Sequence, residues 1–113
     1  MSSEETKEKI LDFFENIEKY YNCNTEITEG LYSQNESFEA AFTTWNLSEF
    51  VLIRSAYRNI GNRFMFEGEK MYYEIAAKNI ISLEQPGRNR FEFIEKYSDN
   101  VYRITKIRFH YNY

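Results

Sequence analysis

Few residues of this sequence could form a catalytic or metal-binding centre. His110 is the only histidine and Cys23 the only cysteine, so a triad would have to use His110 and a zinc site with two thiolates is excluded. His110 has the same parity as Lys106 and Arg108 in the predicted last strand, which indicates a solvent-exposed position. Carboxylate pairs such as Glu67 with Glu69 have a spacing that does not single them out from ordinary surface acids. We therefore predict no enzymatic activity, no bound metal and no cofactor.

Basic side chains alternate with aromatic ones toward the C-terminus. Sheets that bind nucleic acids use this combination, because bases stack on rings and cations meet phosphates. The net charge of -4 opposes the phosphate attraction that dominates such binding, so nucleic acid is a disfavoured alternative. Its candidate contacts are Arg88, Arg90, Arg103, Lys106 and Arg108.

The charge of the chain is divided between its two halves. The first 50 residues hold 11 acids and 3 bases, a net of -8, and the remaining 63 hold 7 acids and 11 bases, a net of +4. A concentrated acidic surface can occupy a site that phosphates would otherwise fill. We therefore predict a non-enzymatic protein-binding module, a small acidic inhibitor of the immunity or anti-defence type that occupies a basic, nucleic-acid-binding site on a larger protein.

The residues assigned to that protein interface combine charge with aromatic anchors. They are the acids Glu15, Glu18, Glu26 and Glu29 and the tyrosines Tyr20 and Tyr32, expected to be exposed. A homodimer, in which the acidic surface of one copy meets the basic surface of another, is an alternative use of the same charges.

Aromatic residues make up 19 % of the chain and favour a second function. A sheet closed into a cone would direct its rings into a cavity for a small apolar or planar molecule. The competing interpretation is a filled core, because protein interiors are close-packed. The rings assigned to the cavity are Tyr72, Tyr73, Phe91, Phe93, Phe109 and Tyr111.

The elements that must position these residues follow from hydrophobic spacing. Ile10, Phe13 and Ile17 recur at three- and four-residue intervals, which predicts an amphipathic helix over about residues 3–21. Beyond it, turn-like groups separate segments rich in aromatic and β-branched residues, a pattern typical of antiparallel strands. The predicted fold class is α+β, with the N-terminal helix packed on a curved antiparallel meander of about five to seven strands over about residues 25–112.

Three local features of the sheet are predicted in more detail. Residues 36–60 fit helices or strands, and we favour strands because Phe50–Ile53 is a compact apolar run. Pro86–Gly87 predicts the turn between a strand near Ile80–Leu83 and a strand at Arg90–Tyr97. Apolar residues change parity along the last strand, which predicts a bulge near Thr105–Lys106.

Length and hydropathy limit the organisation of the protein. A chain of 113 residues predicts a single domain over 1–113 with one core. The acidic start Met1–Glu5 lacks an apolar run behind it, and no stretch has the length of a membrane span. We therefore expect a cytoplasmic protein with no membrane partner.

Overall fold

A computed structural model of the protein describes residues 4–33, 44–58 and 62–111. The α+β class is confirmed: one N-terminal helix accompanies strands that pair only antiparallel. Within the described residues there are eight strands, one more than the upper limit expected. The elements are α1 (Glu4–Glu15), β1 (Asn24–Ser33), β2 (Thr44–Val51), β3 (Arg54–Arg58), β4 (Arg63–Gly68), β5 (Met71–Ala76), β6 (Ile80–Gly87), β7 (Arg90–Ser98) and β8 (Val101–His110).

The strands form two sheets. The larger has the order β2-β1-β8-β7-β6 and the smaller the order β3-β4-β5. β8 is the central strand of the larger sheet, and it pairs with β1 in an unbroken register from Asn24 with His110 to Ser33 with Val101. The N-terminal and C-terminal strands of the chain are therefore neighbours.

The helix is shorter than predicted because Asn16 ends it. The side-chain amide of Asn16 donates to the carbonyl of Asp12 at 2.8 Å, and its backbone N–H is shared between the carbonyls of Asp12 and Phe13. This local bonding competes with the regular helix ladder, and the chain continues as a 3-10 turn at Ile17–Tyr20. Among the described residues, no helix is long and apolar enough to cross a membrane.

Aromatic rings of α1 join the two sheets. Phe13 meets Phe93 of the larger sheet edge to face at 5.2 Å between ring centroids, and Phe14 stacks on Phe64 of the smaller sheet at 3.8 Å. Burying one such side chain fully stabilises a fold by about 1.5–3 kcal/mol. The aromatic spacing of the helix is therefore what holds both sheets to one core.

The β6–β7 hairpin is present, but its turn lies two residues later than predicted. Gly87 and Arg90 form its last cross-strand pair, so Arg88–Asn89 makes the turn. The register shifts between Glu84 and Gly87. Pro86 lacks an N–H and is tolerated there because β6 is an edge strand.

The predicted bulge near Thr105–Lys106 is wrong. β8 keeps its register with β1 throughout Val101–His110. Because side chains alternate in a regular strand, Arg103 and Thr105 share the inward face with Ile107. The apolar residues do not move to the opposite face through a bulge. Instead, the inward face of β8 carries polar residues at Arg103 and Thr105 and becomes apolar from Ile107 onward.

The segment that fitted either helix or strand contains strands wherever it is described. β2 and β3 occupy residues 44–51 and 54–58 and confirm the favoured interpretation. Residues 36–43, 59 and 60 of this segment lie outside the described residues.

Gly68 is expected to be intolerant of a side chain. A Cβ at this position would lie 2.8 Å from Cδ2 of Phe50 and 3.1 Å from the carbonyl oxygen of Val51. We expect G68A to lower the free energy of unfolding by about 1–3 kcal/mol through overpacking, measured by urea denaturation. G87A is the matched control, because its nearest contact is the flexible side chain of Arg90 at 3.4 Å. Equal losses in both variants would contradict this account of the contact.

Candidate functional site

A cavity of about 430 Å³ lies between the polar part of the larger sheet's inner face and the smaller sheet. β1, β2, β7 and β8 contribute one side of its lining, and β4 and β5 contribute the other. Its volume is in the range of small-molecule sites. The polar lining consists of Glu29, Asn46, Ser48, Arg63, Tyr72, Tyr73, Glu74, Tyr97 and Arg103.

Arg103 is the centre of the polar lining. Its Nε donates to Oε1 of Glu95 at 2.7 Å, its Nη1 to Oε2 of Glu29 at 2.9 Å and its Nη2 to the backbone carbonyl of Glu74 at 2.6 Å. The side chain is only 15 % exposed. The guanidinium therefore bonds to β1, β7 and β5 at once and links the two sheets.

Glu95 is completely buried, yet its carboxylate has donors on every side. Besides Arg103, the backbone N–H of Ala76 donates to it at 2.9 Å, and the hydroxyl of Tyr97 donates to the same oxygen. A buried carboxylate without such partners would be strongly destabilising. The described part of the chain contains no buried side-chain polar atom without a hydrogen-bond partner.

The aromatic ring of Tyr73 contacts the guanidinium of Arg103. Cζ of Arg103 lies 5.0 Å from the centroid of the Tyr73 ring, a cation–π geometry. The Tyr73 hydroxyl is 2.6 Å from Oγ1 of the fully buried Thr105 and 3.4 Å from Oε2 of Glu29. The ring and the hydroxyl together fix the position of Arg103 in the cavity wall.

Burial determines the protonation of these groups. Burial raises the pKa of the Tyr73 phenol well above its ordinary value, and burial together with the hydrogen bond to Glu95 does the same to the pKa of Tyr97. For Arg103, burial disfavours the charge, but the hydrogen bond to Glu95 and the electrostatic contributions of Tyr73, Glu95 and Tyr97 together outweigh it, and the pKa is raised. Two neutral phenols and a permanent cation result.

Several acceptors of the cavity have no hydrogen-bond partner among the described residues. Glu29 uses only Oε2, and its Oε1 accepts no hydrogen bond from another described residue. The side chains of Asn46 and Ser48 line the cavity on β2, and neither bonds to any other described residue. In cross-strand register Asn46 lies opposite Glu29. These three groups form an open polar edge, called here the acceptor edge.

The residues predicted for a protein interface are divided by the structure. Glu15 and Glu18 are exposed, whereas Glu26 contacts His110 and Glu29 contacts Arg103. The prediction that Tyr20 and Tyr32 are exposed is wrong. They are 1 % and 7 % exposed, because Tyr20 stacks on Phe109 at 3.9 Å and Tyr32 on Tyr102 at 5.4 Å.

The six rings predicted for one cavity do not share it. Tyr72 and Tyr73 line the cavity between the sheets. The other four, Phe91, Phe93, Phe109 and Tyr111, belong to the core or pack against it. Phe13 of α1 fills the space beside Phe91 at 4.7 Å, so this part of the face is a filled core.

The predicted nucleic-acid contacts also fall in different places. Arg103 is committed to the inner cavity, while Arg90, Lys106 and Arg108 are exposed on the outer face of the larger sheet and Arg88 lies in the β6–β7 turn. Acids share the outer face with these bases, because Glu26 is opposite Arg108 and Glu92 is opposite Lys106. Arg90 and Arg108 are opposite each other, but the neighbouring acids oppose the attraction for phosphates that such a surface would need.

Sequence reasoning missed Glu95, Thr105, Asn46 and Ser48 as site residues. One signal for part of this set was present: Arg103 and Thr105 have the inward parity of Ile107. Polar residues at an inward position need buried partners, which is a direct indication of a polar site.

Comparisons with known protein families, curated proteins and solved structures found no match to this chain. What the site can do must therefore be inferred from its own geometry.

The Arg103–Glu95 pair is expected to respond to substitution as a buried pair. R103M leaves a fully buried carboxylate without its cation, and we expect the free energy of unfolding to fall by about 3–5 kcal/mol. R103M/E95Q should recover part of this loss. R54M removes one partner of the exposed Arg54–Glu67 pair and should cost far less, because solvent screens exposed ion pairs. Chemical denaturation of the four proteins measures the difference, and equal losses for R103M and R54M would contradict the buried-pair assignment.

Proposed function

We propose that the protein is a binding protein for a small protonated amine, taken up in the cavity between the two sheets. The observation that carries this proposal is the acceptor edge, where Oε1 of Glu29 and the side chains of Asn46 and Ser48 face the cavity without partners among the described residues. An ammonium group offers three donors, which matches three unpaired groups able to accept.

The charges around the cavity favour a cation. The cavity lining holds two carboxylates and two guanidiniums, and the buried Glu95 behind Arg103 brings the formal balance of the region to -1. Arg103 already has two carboxylate partners, so it has little attraction left for an anion. The aromatic faces of partly exposed Tyr72 and Tyr97 add to the attraction for a cationic ligand.

The ligand proposed here differs from the apolar or planar one that the aromatic content suggested, because the cavity lining is polar. We propose binding without catalysis. The phenols of Tyr73 and Tyr97 have pKa values raised by burial and remain protonated at neutral pH, so neither supplies a general base.

Amine binding can be tested with simple probes. We expect putrescine, agmatine or n-butylamine to shift backbone amide signals of β2 and β5 saturably in nuclear magnetic resonance spectra. The same amine should raise the thermal midpoint, since a ligand at ten times its Kd stabilises the folded state by about 1.4 kcal/mol. The carboxylates n-butyrate and succinate should do neither.

Two leucine variants provide the matched comparison. S48L replaces a residue of the acceptor edge with a larger apolar side chain in the cavity lining and should abolish the amine response. S98L makes the same change at an exposed position at the end of β7 and should leave it intact. Absence of any amine response in the wild type, or a response that survives S48L, would refute the proposal.

A second candidate function is the acidic inhibitor predicted from charge, and one observation favours it. All six carboxylates of α1 and the adjoining 3-10 turn are exposed, and among described residues only Glu5 is ion-paired, with Lys9 at 3.8 Å. This surface could occupy a basic groove on a larger protein. The buried tyrosines and the internally paired Glu26 and Glu29 cannot serve it, so charge alone would have to carry the contact.

The inhibitor function predicts partner capture that depends on helix charge. The wild-type protein should retain a partner from native lysate at about 0.05 M NaCl and release it at about 0.5 M, because the Debye length shortens as salt rises. E8Q/E15Q/E18Q should fail to retain that partner at either salt concentration. E69Q/E84Q/D99N removes the same number of exposed acids outside the helix and should still capture it. Equal capture by both triple variants would refute the assignment to α1.

A further inference from the structure

A second polar cluster lies on the outer face of the larger sheet, away from the cavity. Glu26 of β1 and Glu49 of β2 are directly opposite each other in register, and His110 of β8 is opposite Asn24, two residues along β1. One carboxylate oxygen from each glutamate and one ring nitrogen of His110 lie within 4.8 Å of one another. Three adjacent strands therefore bring three ligand-type atoms to one point.

The contacts within this cluster are not those that simple charge pairing would produce. Like charges directly opposite in a sheet are destabilising, yet Glu26 faces Glu49. Arg108 is directly opposite Glu26 on the other side, but Glu26 forms no ion pair with it and instead contacts Nε2 of His110 at 2.5 Å. Both carboxylates thus remain beside the imidazole, and the repulsion between them is a cost that a bound cation would remove.

We propose that Glu26, Glu49 and His110 form a binding site for a divalent transition-metal ion of the zinc class. Such ions take imidazole nitrogen together with carboxylate oxygen. Bonds of about 2.0–2.2 Å in a tetrahedral arrangement require ligand atoms roughly 3.4 Å apart. The present Glu26–His110 spacing of 2.5 Å is shorter than that value, and all three ligand atoms lie within 4.8 Å of one another. All three side chains retain solvent-accessible surface, so small rotations are open to them.

The three protein ligands would leave the coordination of the ion incomplete, and a neighbouring side chain already orients one of them. Three protein ligands leave at least one position to water on this exposed face. The side-chain amide of Asn24 donates to Oε2 of Glu49 at 2.6 Å, which orients that carboxylate as an outer partner commonly does for a metal ligand. This site differs from the prediction of no metal made from composition, because sheet register joins residues 84 positions apart.

The same sheet face provides an internal comparison. Glu84 of β6 and Glu92 of β7 are also directly opposite each other. No histidine accompanies them, and Glu84 is instead 3.6 Å from Nζ of Lys9. Among the described residues this face therefore carries at least two opposed acidic pairs, and of these two the pair beside His110 has the mixed nitrogen and oxygen donors that select a zinc-class ion.

Isothermal titration with ZnCl₂ at pH 7.5 tests the proposal. The full chain should carry C23S, because the thiol of Cys23 is free and partly accessible. We expect saturable binding of one Zn²⁺ per chain and a rise in thermal midpoint that follows the added metal. H110A and E49Q should each weaken zinc binding at least about tenfold. E84Q should leave it unchanged.

Further measurements keep the outcomes distinct. E49Q removes a like-charge contact, so its metal-free stability should equal or exceed that of the parent, which separates lost binding from lost folding. Mg²⁺ should not compete at equal concentration, because it prefers an oxygen-only site. Absence of saturable zinc binding, binding unaffected by H110A, or equal competition by Mg²⁺ would each overturn the proposal.

Discussion

The buried pair between Arg103 and Glu95 is the interaction on which the arrangement of the two sheets depends. Both residues belong to the larger sheet, but the remaining donors and acceptors come from β5, where the Ala76 N–H bonds to Glu95 and the Glu74 carbonyl accepts from Arg103. Charges removed from water are tolerated only when such partners are complete. The smaller sheet must therefore dock in one position, and the cavity with its acceptor edge exists because of that docking.

The inner face of the larger sheet is divided into two chemical regions. Near α1 it is aromatic, with Phe93 fully buried beneath the ring of Phe13, and this region supplies the hydrophobic stabilisation. Farther along β8 the same face carries Arg103 and Thr105. A buried ion pair contributes little net stability compared with an apolar contact of similar size. The aromatic region can therefore offset the cost of the polar one.

Sequence patterns predicted the helix and the strands better than they predicted which side chains contact one another. The spacing of Ile10 and Phe13 located the helix, and the alternation along Arg90–Tyr97 located a strand, because hydrophobic periodicity reports which face is buried. It does not report what a face is buried against. Tyr20 and Tyr32 looked like exposed anchors until their stacking partners were known, and Glu95 looked like a surface acid until Ala76 and Arg103 were seen beside it. Those pairings depend on tertiary contacts that composition and period do not encode.

The acidic and basic halves of the sequence meet where β1 pairs with β8, a contact called here the β1–β8 seam, and opposite charges pair across it. Antiparallel pairing of β1 with β8 sets a strand from the acidic half beside a strand from the basic half, so Glu29 meets Arg103 and Glu26 meets His110. The acids of β1 are thereby used within the protein. The acids of α1 are exposed, and among the described residues only Glu5 is ion-paired. Among the described residues the helix therefore carries the most concentrated surplus of negative charge, whereas the β1–β8 seam contributes residues to both of the ligand sites proposed above.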